Sequence, residues 1–511
     1  MRIHATLVAT LAISCGGHGS DEPAPPAPAP QLQPKDRAPD PEPVAVTQPD
    51  FPDWTRSLEL RRTVSVRLEP SDEAKPIGNI AIDTRVGWTR TATGKGCDRA
   101  WVEIKPHGWV CGKYLEPSKK PPYGQEVPHL DRGEIVPGIY GKVTAPSSVT
   151  YAYDKGEKKK PAKDKKKNRA DKDRRDRDKK KGPVTSTKDV DNDGDDTTAT
   201  SALPKPKMVE DKPLVGSVNV RDYDEVTVDN KLYWKIAQKE NQYVLASAIT
   251  RHQPSRFAGA RMGDDTGRAL PIAFVWPRAN MMATYSVNTA KGGGVNRQLF
   301  QRTPVAILEA DNADKPTMYR IGEREWISAA DVRVFKPAPL PPMLTPGERW
   351  IDVDLDTQIL VALEGDVAVY ATMVSSGGKD TATETGVYRM WRKESEADMK
   401  GLNGEDPYSV ATVPWTEFFS PEKGLALHTA YWHDQFGTRR SHGCVNLAPR
   451  DARWLYFWSD PQVPPGWTMA AGMPEAPGSI VRIRTLADPA PEAKGYAKKV
   501  LEARQQNAPA H

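Results

Sequence analysis

One charged block limits how this chain can fold more than any other feature: residues 154–181 hold sixteen Lys/Arg against seven Asp/Glu. Such a segment cannot bury enough apolar surface to offset the entropy of ordering it. Residues 21–53, with eleven prolines, fail for the same reason. Packed structure is therefore confined to the rest of the 511 residues, which is room for about three or four modules. The same two segments locate the shortfall in apolar residues, 38% against a usual ~45–50%. The block also sets the sign of the net charge. The whole chain is +5 and the block alone +9, which leaves −4 elsewhere and excludes a generally basic nucleic-acid-binding protein. No apolar run reaches the 18 or so residues that a spanning helix needs.

Residues 1–14 read as an export signal: Arg2, an apolar run from Ala5 to Ile13, then small residues. The run Leu11-Ala12-Ile13-Ser14-Cys15 resembles a bacterial lipobox, with Ala12 where that pattern prefers leucine. The resemblance implies acylation of Cys15 and a lipid anchor to a membrane leaflet in the periplasm; plain secretion is the other reading. Either way the chain is expected in the cell envelope, with residues 15–54 as a Pro-rich disordered linker. In an oxidising compartment Cys97 and Cys111, fourteen residues apart, are expected to form a disulfide worth roughly 3 kcal/mol. Cys444 is then unpaired, which suggests a reactive thiol or an intermolecular bridge.

Three segments carry one phrase, an aromatic and a β-branched residue followed after four positions by an aliphatic: Trp109-Val110 to Leu115, Tyr243-Val244 to Ile249, and Trp326-Ile327 to Val332. Each follows another strand-like run, so the repeated unit is strand, turn, strand and short helical turn. The first copy, with Gly108-Trp109-Val110 and Tyr114-Leu115, resembles a bacterial SH3-like domain, and the other two do so more weakly. The expected modules are 55–118, 119–255 and 256–340. The second is interrupted by a disordered Lys/Asp-rich insertion at 154–213, whose lysines are a candidate contact for anionic envelope polymers or simply a solvated face. Within it Asp189-Val190-Asp191-Asn192-Asp193-Gly194 resembles the start of a calcium loop, but Thr200 stands where the closing acid belongs. Residues 341–486 read as an antiparallel β domain and 487–511 as a C-terminal tail. The whole is expected to be mainly β and multi-domain.

Within that last domain His428 precedes Trp432-His433-Asp434, and Ser441-His442-Gly443-Cys444-Val445-Asn446 follows. A thiol is only a few per cent ionised at neutral pH, and an imidazole brought beside it by a folded-back loop can accept its proton. Gly443 permits the tight backbone that aims amides at a developing oxyanion. By residue type alone His428, His433, His442 and Cys444 also make a conceivable zinc set. His433 beside Asp434 has a bland reading, as a residue that holds the loop.

The stretch from His428 to Leu455 resembles the active-site signature of L,D-transpeptidases, a histidine followed by Ser/Thr-His-Gly-Cys, a hydrophobic residue and Asn or Arg. Trp350 to Leu355 is similar to that family's opening strand, Ser375-Ser376-Gly377-Gly378 to its serine–glycine turn, and Thr385-Gly386-Val387-Tyr388 to its glycine strand. Met399-Lys400-Gly401 and Val413-Pro414-Trp415 look like its substrate flap. Two departures are Glu384-Thr385-Gly386 where Thr-Pro is frequent, and His428-Thr429-Ala430 where His-Gly is frequent. The resemblance implies a β-sandwich-like catalytic domain with no cofactor and no metal, acting on peptidoglycan stem peptides. It makes Cys444 the nucleophile and His428 the base, oriented by the Thr429 carbonyl. Gly443 and Cys444 become oxyanion donors and His442 a modulator of the thiolate, with Asn446, Tyr408, Thr429 and Ser441 around the substrate. Cleavage before the terminal D-alanine and 3→3 cross-linking follow. A carboxypeptidase, a protein-to-wall ligase with the same acyl-enzyme, and a non-catalytic wall-binding scaffold are the alternatives.

Overall fold

Apolar–polar alternation builds the upstream strands. Val64–Arg67, Val-Ser-Val-Arg, buries both valines and turns Ser65 outward. Strands in the C-terminal domain are instead buried on both faces, as in Ile359–Glu364 and Ile480–Arg484. In the computed structural model of the chain the described residues are 46–47, 51–146, 148–155, 205–401, 407–473 and 475–506. The signal, Cys15, the linker up to residue 45, residues 156–204 and the calcium-like phrase lie outside them.

The C-terminal domain has two sheets. One runs in the order Ala260–Arg261, Val367–Met373, Ile359–Glu364, Arg349–Asp354, Ile480–Arg484, Gly386–Arg389. The other contains Trp467–Ala471, Arg392–Gly401 and Tyr408–Ser420, from which Leu425–Thr429 and its parallel neighbour Val445–Leu447 branch. Between them Ile351, Leu360, Tyr388, Trp415, Leu427 and Leu455 form the largest apolar core, closed by the helix Pro449–Trp458. On the other face of the first sheet, away from this core, buried Arg482 and Arg484 are tolerable because both pair with buried Asp352, at 2.6 and 2.9 Å.

Each repeated phrase forms a strand, one 3₁₀ turn and a second strand. They are Trp109–Cys111, Gly112–Tyr114 and Leu115–Ser118; Tyr243–Leu245, Ala246–Ala248 and Ile249–Arg251; and Glu325–Ser328, Ala329–Asp331 and Val332–Phe335. The mainly β architecture expected from the sequence is present, but among the described residues no sheet closes into an SH3-like barrel. Two of the upstream segments also pair at their edges with the C-terminal domain. Pro76–Ile80 joins Trp467–Ala471 antiparallel, and Ser217–Asp222 joins Tyr408–Ser420 in parallel. One fourteen-stranded sheet therefore runs through the first upstream segment, the C-terminal domain and the second segment. Packing follows the backbone: Trp467 and Ala470 are buried in the apolar cluster of the first segment with Leu58, Val66 and Ile80.

Two boundaries shift. Lys207–Pro213, expected inside the disordered insertion, is a strand paired with Val149–Asp154, from Asp154↔Lys207 to Val149↔Pro213. The tail contains a helix, Gly495–Gln506, which buries Ala497 while Lys494 pairs with Glu384 at 2.9 Å. Cys97 and Cys111 are joined by a disulfide.

Candidate active site

The parallel pair Leu425–Thr429 and Val445–Leu447 positions the reactive groups. Leu427 lies opposite Val445 and His428 opposite Asn446. Leu425, Leu427, Val445 and Leu447 all join the main core, so with a side-chain period of two His428, Cys444 and Asn446 share the opposite face. That face floors a cavity walled by Met399, Tyr408, Val410, Trp432, Arg440, Ser441 and His442. Ser217 and Asn219 of the second upstream segment complete the lining.

The thiol of Cys444 is half-buried. Burial pushes its pKa up to about 11, against a pull downward from the Ala426 amide. His428 is 4% exposed, and burial lowers its imidazole to about 4. Both groups are therefore neutral at rest. The imidazole Nδ1 lies 2.9 Å from the Thr429 carbonyl. A carbonyl only accepts, so Nδ1 carries the proton and Nε2 keeps its lone pair, as a proton acceptor must. No hydrogen bond joins Sγ to the imidazole among the described residues; the thiol donates instead to the Gly424 carbonyl at 3.9 Å.

The turn that presents the thiol is cross-braced. Gly443 sits at φ +122°, where a side chain is strained. Its carbonyl accepts from Thr383 Oγ1 at 2.8 Å. The serine–glycine turn holds Ser441, whose N–H donates to Ser376 O at 3.0 Å and whose carbonyl accepts from Gly378 N–H at 2.9 Å. The Ser441 hydroxyl donates to the Cys444 carbonyl and accepts from the Gly443 amide at 3.1 Å. That last bond engages the Gly443 amide, one of the two expected oxyanion donors, and leaves the Cys444 amide as the candidate. It also makes Ser441 a turn-former as well as a wall. Thr429, expected at the substrate, is fully buried and outside the cavity lining; it serves through its carbonyl. The exposed His442 ring stacks on Tyr408 at 4.6 Å, which brings both to the rim.

His433 holds the loop. Its Nδ1 accepts from Gln435 N–H at 3.1 Å, and its Nε2 lies 3.1 Å from the Asn446 carboxamide. The Asn446 atom at that distance is Nδ2; with Nδ1 accepting, Nε2 of the neutral ring bears the proton, so the pairing calls for the carboxamide turned over, its unpartnered Oδ1 in place of Nδ2. The four residues of the zinc reading do not converge: among the described residues no three His, Cys, Asp or Glu groups are placed to share a metal ion. The loop from Ala430 to Ser441 leans on upstream segments. Arg302 grips Asp434 through two bonds of 2.6 and 2.9 Å, and Tyr140 stacks on Tyr431 at 4.0 Å. The sequence did not point to Ser217, Asn219, Arg302 or Tyr140 as part of this region. Its only signal was the alternation Ser217-Val218-Asn219-Val220, which marks a strand without naming its neighbour.

Residues 348–483 match the family model described as YkuD, L,D-transpeptidase catalytic domain. A Bacillus subtilis protein named "Putative L,D-transpeptidase YciB" is 29% identical over 119 residues, covering 21% of this chain and 59% of its own length. L,D-transpeptidase 2 of Mycobacterium tuberculosis is 34% identical over 112 residues, covering 20% of this chain and 27% of its own length. The chain thus spans less than two thirds of either relative. Among solved structures, the catalytic domain of an Enterococcus faecium L,D-transpeptidase aligns at 25% identity over 27% of this chain and 98% of that one, with a TM-score of 0.21. An L,D-transpeptidase from Mycobacterium smegmatis aligns at 15% identity over 46% and 90%, with a TM-score of 0.23. Cys444, His428 and the serine–glycine brace all lie inside the matched span, so it is in residues 348–483 that this chain is similar to L,D-transpeptidase catalytic domains.

Proposed function

We propose that the chain is a peptidoglycan L,D-transpeptidase in which Cys444 is the nucleophile and His428 the general base and acid. The observation that carries this reading is the shared face of two adjacent parallel strands. It holds a half-buried thiol and a buried imidazole whose Nδ1 is locked to its own strand's carbonyl. Because both groups rest neutral, the thiol proton passes to Nε2 as Sγ attacks the amide between the third residue and the terminal D-alanine of a donor stem. The Cys444 amide faces the developing oxyanion. The imidazolium then returns its proton to the departing D-alanine amine, leaving a thioester. An acceptor-stem amine attacks the thioester, giving a 3→3 cross-link and restoring the thiol. The stem lies over Asn446, beside Tyr408 and His442.

The Cys97–Cys111 disulfide supports an oxidising compartment, in keeping with the export signal and the lipobox-like Cys15. The purified full chain, incubated with disaccharide tetrapeptides and read by mass spectrometry, is expected to release D-alanine and form 3→3 dimers. Cys444→Ala is expected to do neither. Hydrolysed tripeptide without dimers would make the chain a carboxypeptidase, and turnover by the alanine variant would refute the nucleophile.

A further inference from the structure

Part of the cleft is built by residues outside the transpeptidase domain. The strand Ser217–Asp222 precedes residues 348–483 by more than a hundred positions, yet it pairs in parallel with the start of the flap strand Tyr408–Ser420. Its register is Ser217↔Tyr408, Val218↔Ser409, Asn219↔Val410. Alternation then decides what the cleft meets. Val218 and Val220 turn into an apolar cluster with Trp234, while Ser217 and Asn219 turn the other way and line the cavity that holds Cys444 and His428.

The register is pinned along the strand. The Ser217 N–H donates to Pro407 O at 2.9 Å. Gly216, at φ +75°, approaches that same carbonyl so closely that a Cβ would lie 2.0 Å from it. Arg221 pairs with Glu396 on the neighbouring flap strand, and Tyr223 Oη meets Thr412 Oγ1 at 2.7 Å. Asn219 cannot slide away from the cleft without breaking these contacts.

Asn219 is a polar side chain only 6% exposed. Its Oδ1 lies 2.8 Å from His252 Nε2. The oxygen only accepts, so Nε2 carries the ring proton, and burial keeps that ring neutral with a pKa of about 4. His252 thereby fixes the rotation of the carboxamide. The NH₂ end, which has no partner among the described residues, is left on the cavity side. A nearly buried pair of N–H donors at the wall of a reactive cleft wants an oxygen acceptor.

We propose that Asn219 is a substrate-recognising residue whose Nδ2 donates to an oxygen of the donor stem peptide, a backbone carbonyl or a carboxylate, lying between the flap and the nucleophile. This rests on the transpeptidase reading and adds to it: the upstream segment takes part in substrate selection. His252 is a positioning residue for Asn219.

The test uses the full chain carrying Cys444→Ala, which binds without turnover, and a synthetic stem tetrapeptide with diaminopimelate or lysine at its third position. Adding Asn219→Ala is expected to weaken binding by about 3–10-fold, the range of one neutral hydrogen bond. Asn219→Asp, which lacks the donor, is expected to weaken it at least as much. The same peptide ending in an ethylamide in place of D-alanine, which keeps the scissile carbonyl but has no terminal carboxyl oxygens, identifies the acceptor: an undiminished effect assigns it to a backbone carbonyl, and loss of the effect assigns it to the D-alanine carboxylate. In the chain with its cysteine intact, Asn219→Ala is expected to leave iodoacetamide alkylation of Cys444 unchanged. Equal affinity with and without Asn219, full affinity in Asn219→Asp, or altered alkylation would overturn the proposal. If the intact chain binds the tetrapeptide with the Asn219 dependence but releases no D-alanine, the transpeptidase reading falls while the recognition site stands.

Discussion

A resting thiol raised to about 11 beside an imidazole lowered to about 4 predicts an unreactive cysteine until substrate arrives. The perturbation is pH, and the probe is iodoacetamide, small enough to reach Sγ without occupying the stem site. At pH 7 a thiol with a pKa of about 11 is ionised in about one molecule in 10⁴, against about one in 10² at the ordinary 9.0. Alkylation mapped to Cys444 by peptide mass spectrometry should therefore run on the order of 100-fold slower than that of an unperturbed cysteine. It should climb about tenfold per pH unit, with no plateau up to pH ~10. The sign follows from the cause: burial disfavours the anion, so raising the pH is the only route to thiolate in the empty site. His428→Ala should leave this curve in place, because a neutral imidazole contributes no charge to it. A plateau below pH ~8, or a large fall on removing His428, would show a preformed thiolate–imidazolium pair and refute the reasoning.

In turnover the same substitution behaves differently. His428→Ala removes the proton acceptor, and D-alanine release should fall by about 10²–10⁴-fold with stem-peptide affinity little changed. Trp467→Ala empties the shared core of the first segment and the C-terminal domain, and should cost about 3–5 kcal/mol in urea unfolding; a loss under ~1 kcal/mol would mean that the indole is not holding the two together. Gly443→Ala places a Cβ at φ +122° and 3.1 Å from Leu425 Cδ2, and should lower stability by about 1–3 kcal/mol while displacing the thiol, read as a drop in both melting temperature and turnover.

The candidate site was legible in the sequence because it depends on side-chain identity at short spacing: Ser441 to Asn446 and His428 sit within one strand–loop–strand unit. The assembly was not legible, because the joins are backbone hydrogen bonds between sheet edges, which any residue other than proline can make. Ser217-Val218-Asn219-Val220 announces a strand, but nothing in it specifies Tyr408–Ser420 as the partner. Lys207–Pro213 was hidden for the opposite reason. Its side chains are almost all exposed, so pairing with Val149–Asp154 leaves no apolar trace. The helix Gly495–Gln506 is likewise mostly polar and places Ala497 and Leu501 against the apolar core. The expected role of the Thr429 side chain failed at the level of orientation, since a strand residue next to the base faces away from it.

The join between Pro76–Ile80 and Trp467–Ala471 has a consequence for biogenesis. Asn79 and Thr468, bonded across that join, stand 389 residues apart in the sequence. A ribosome adding ~5–20 residues per second needs roughly 20–80 s to cover that distance. Throughout that interval the earlier strand exists with an open edge and a core that still lacks its indole. Nascent chains of this protein are thus exposed to edge-to-edge self-association until Trp467–Ala471 has been made, and completion of the first segment's core waits on that later strand.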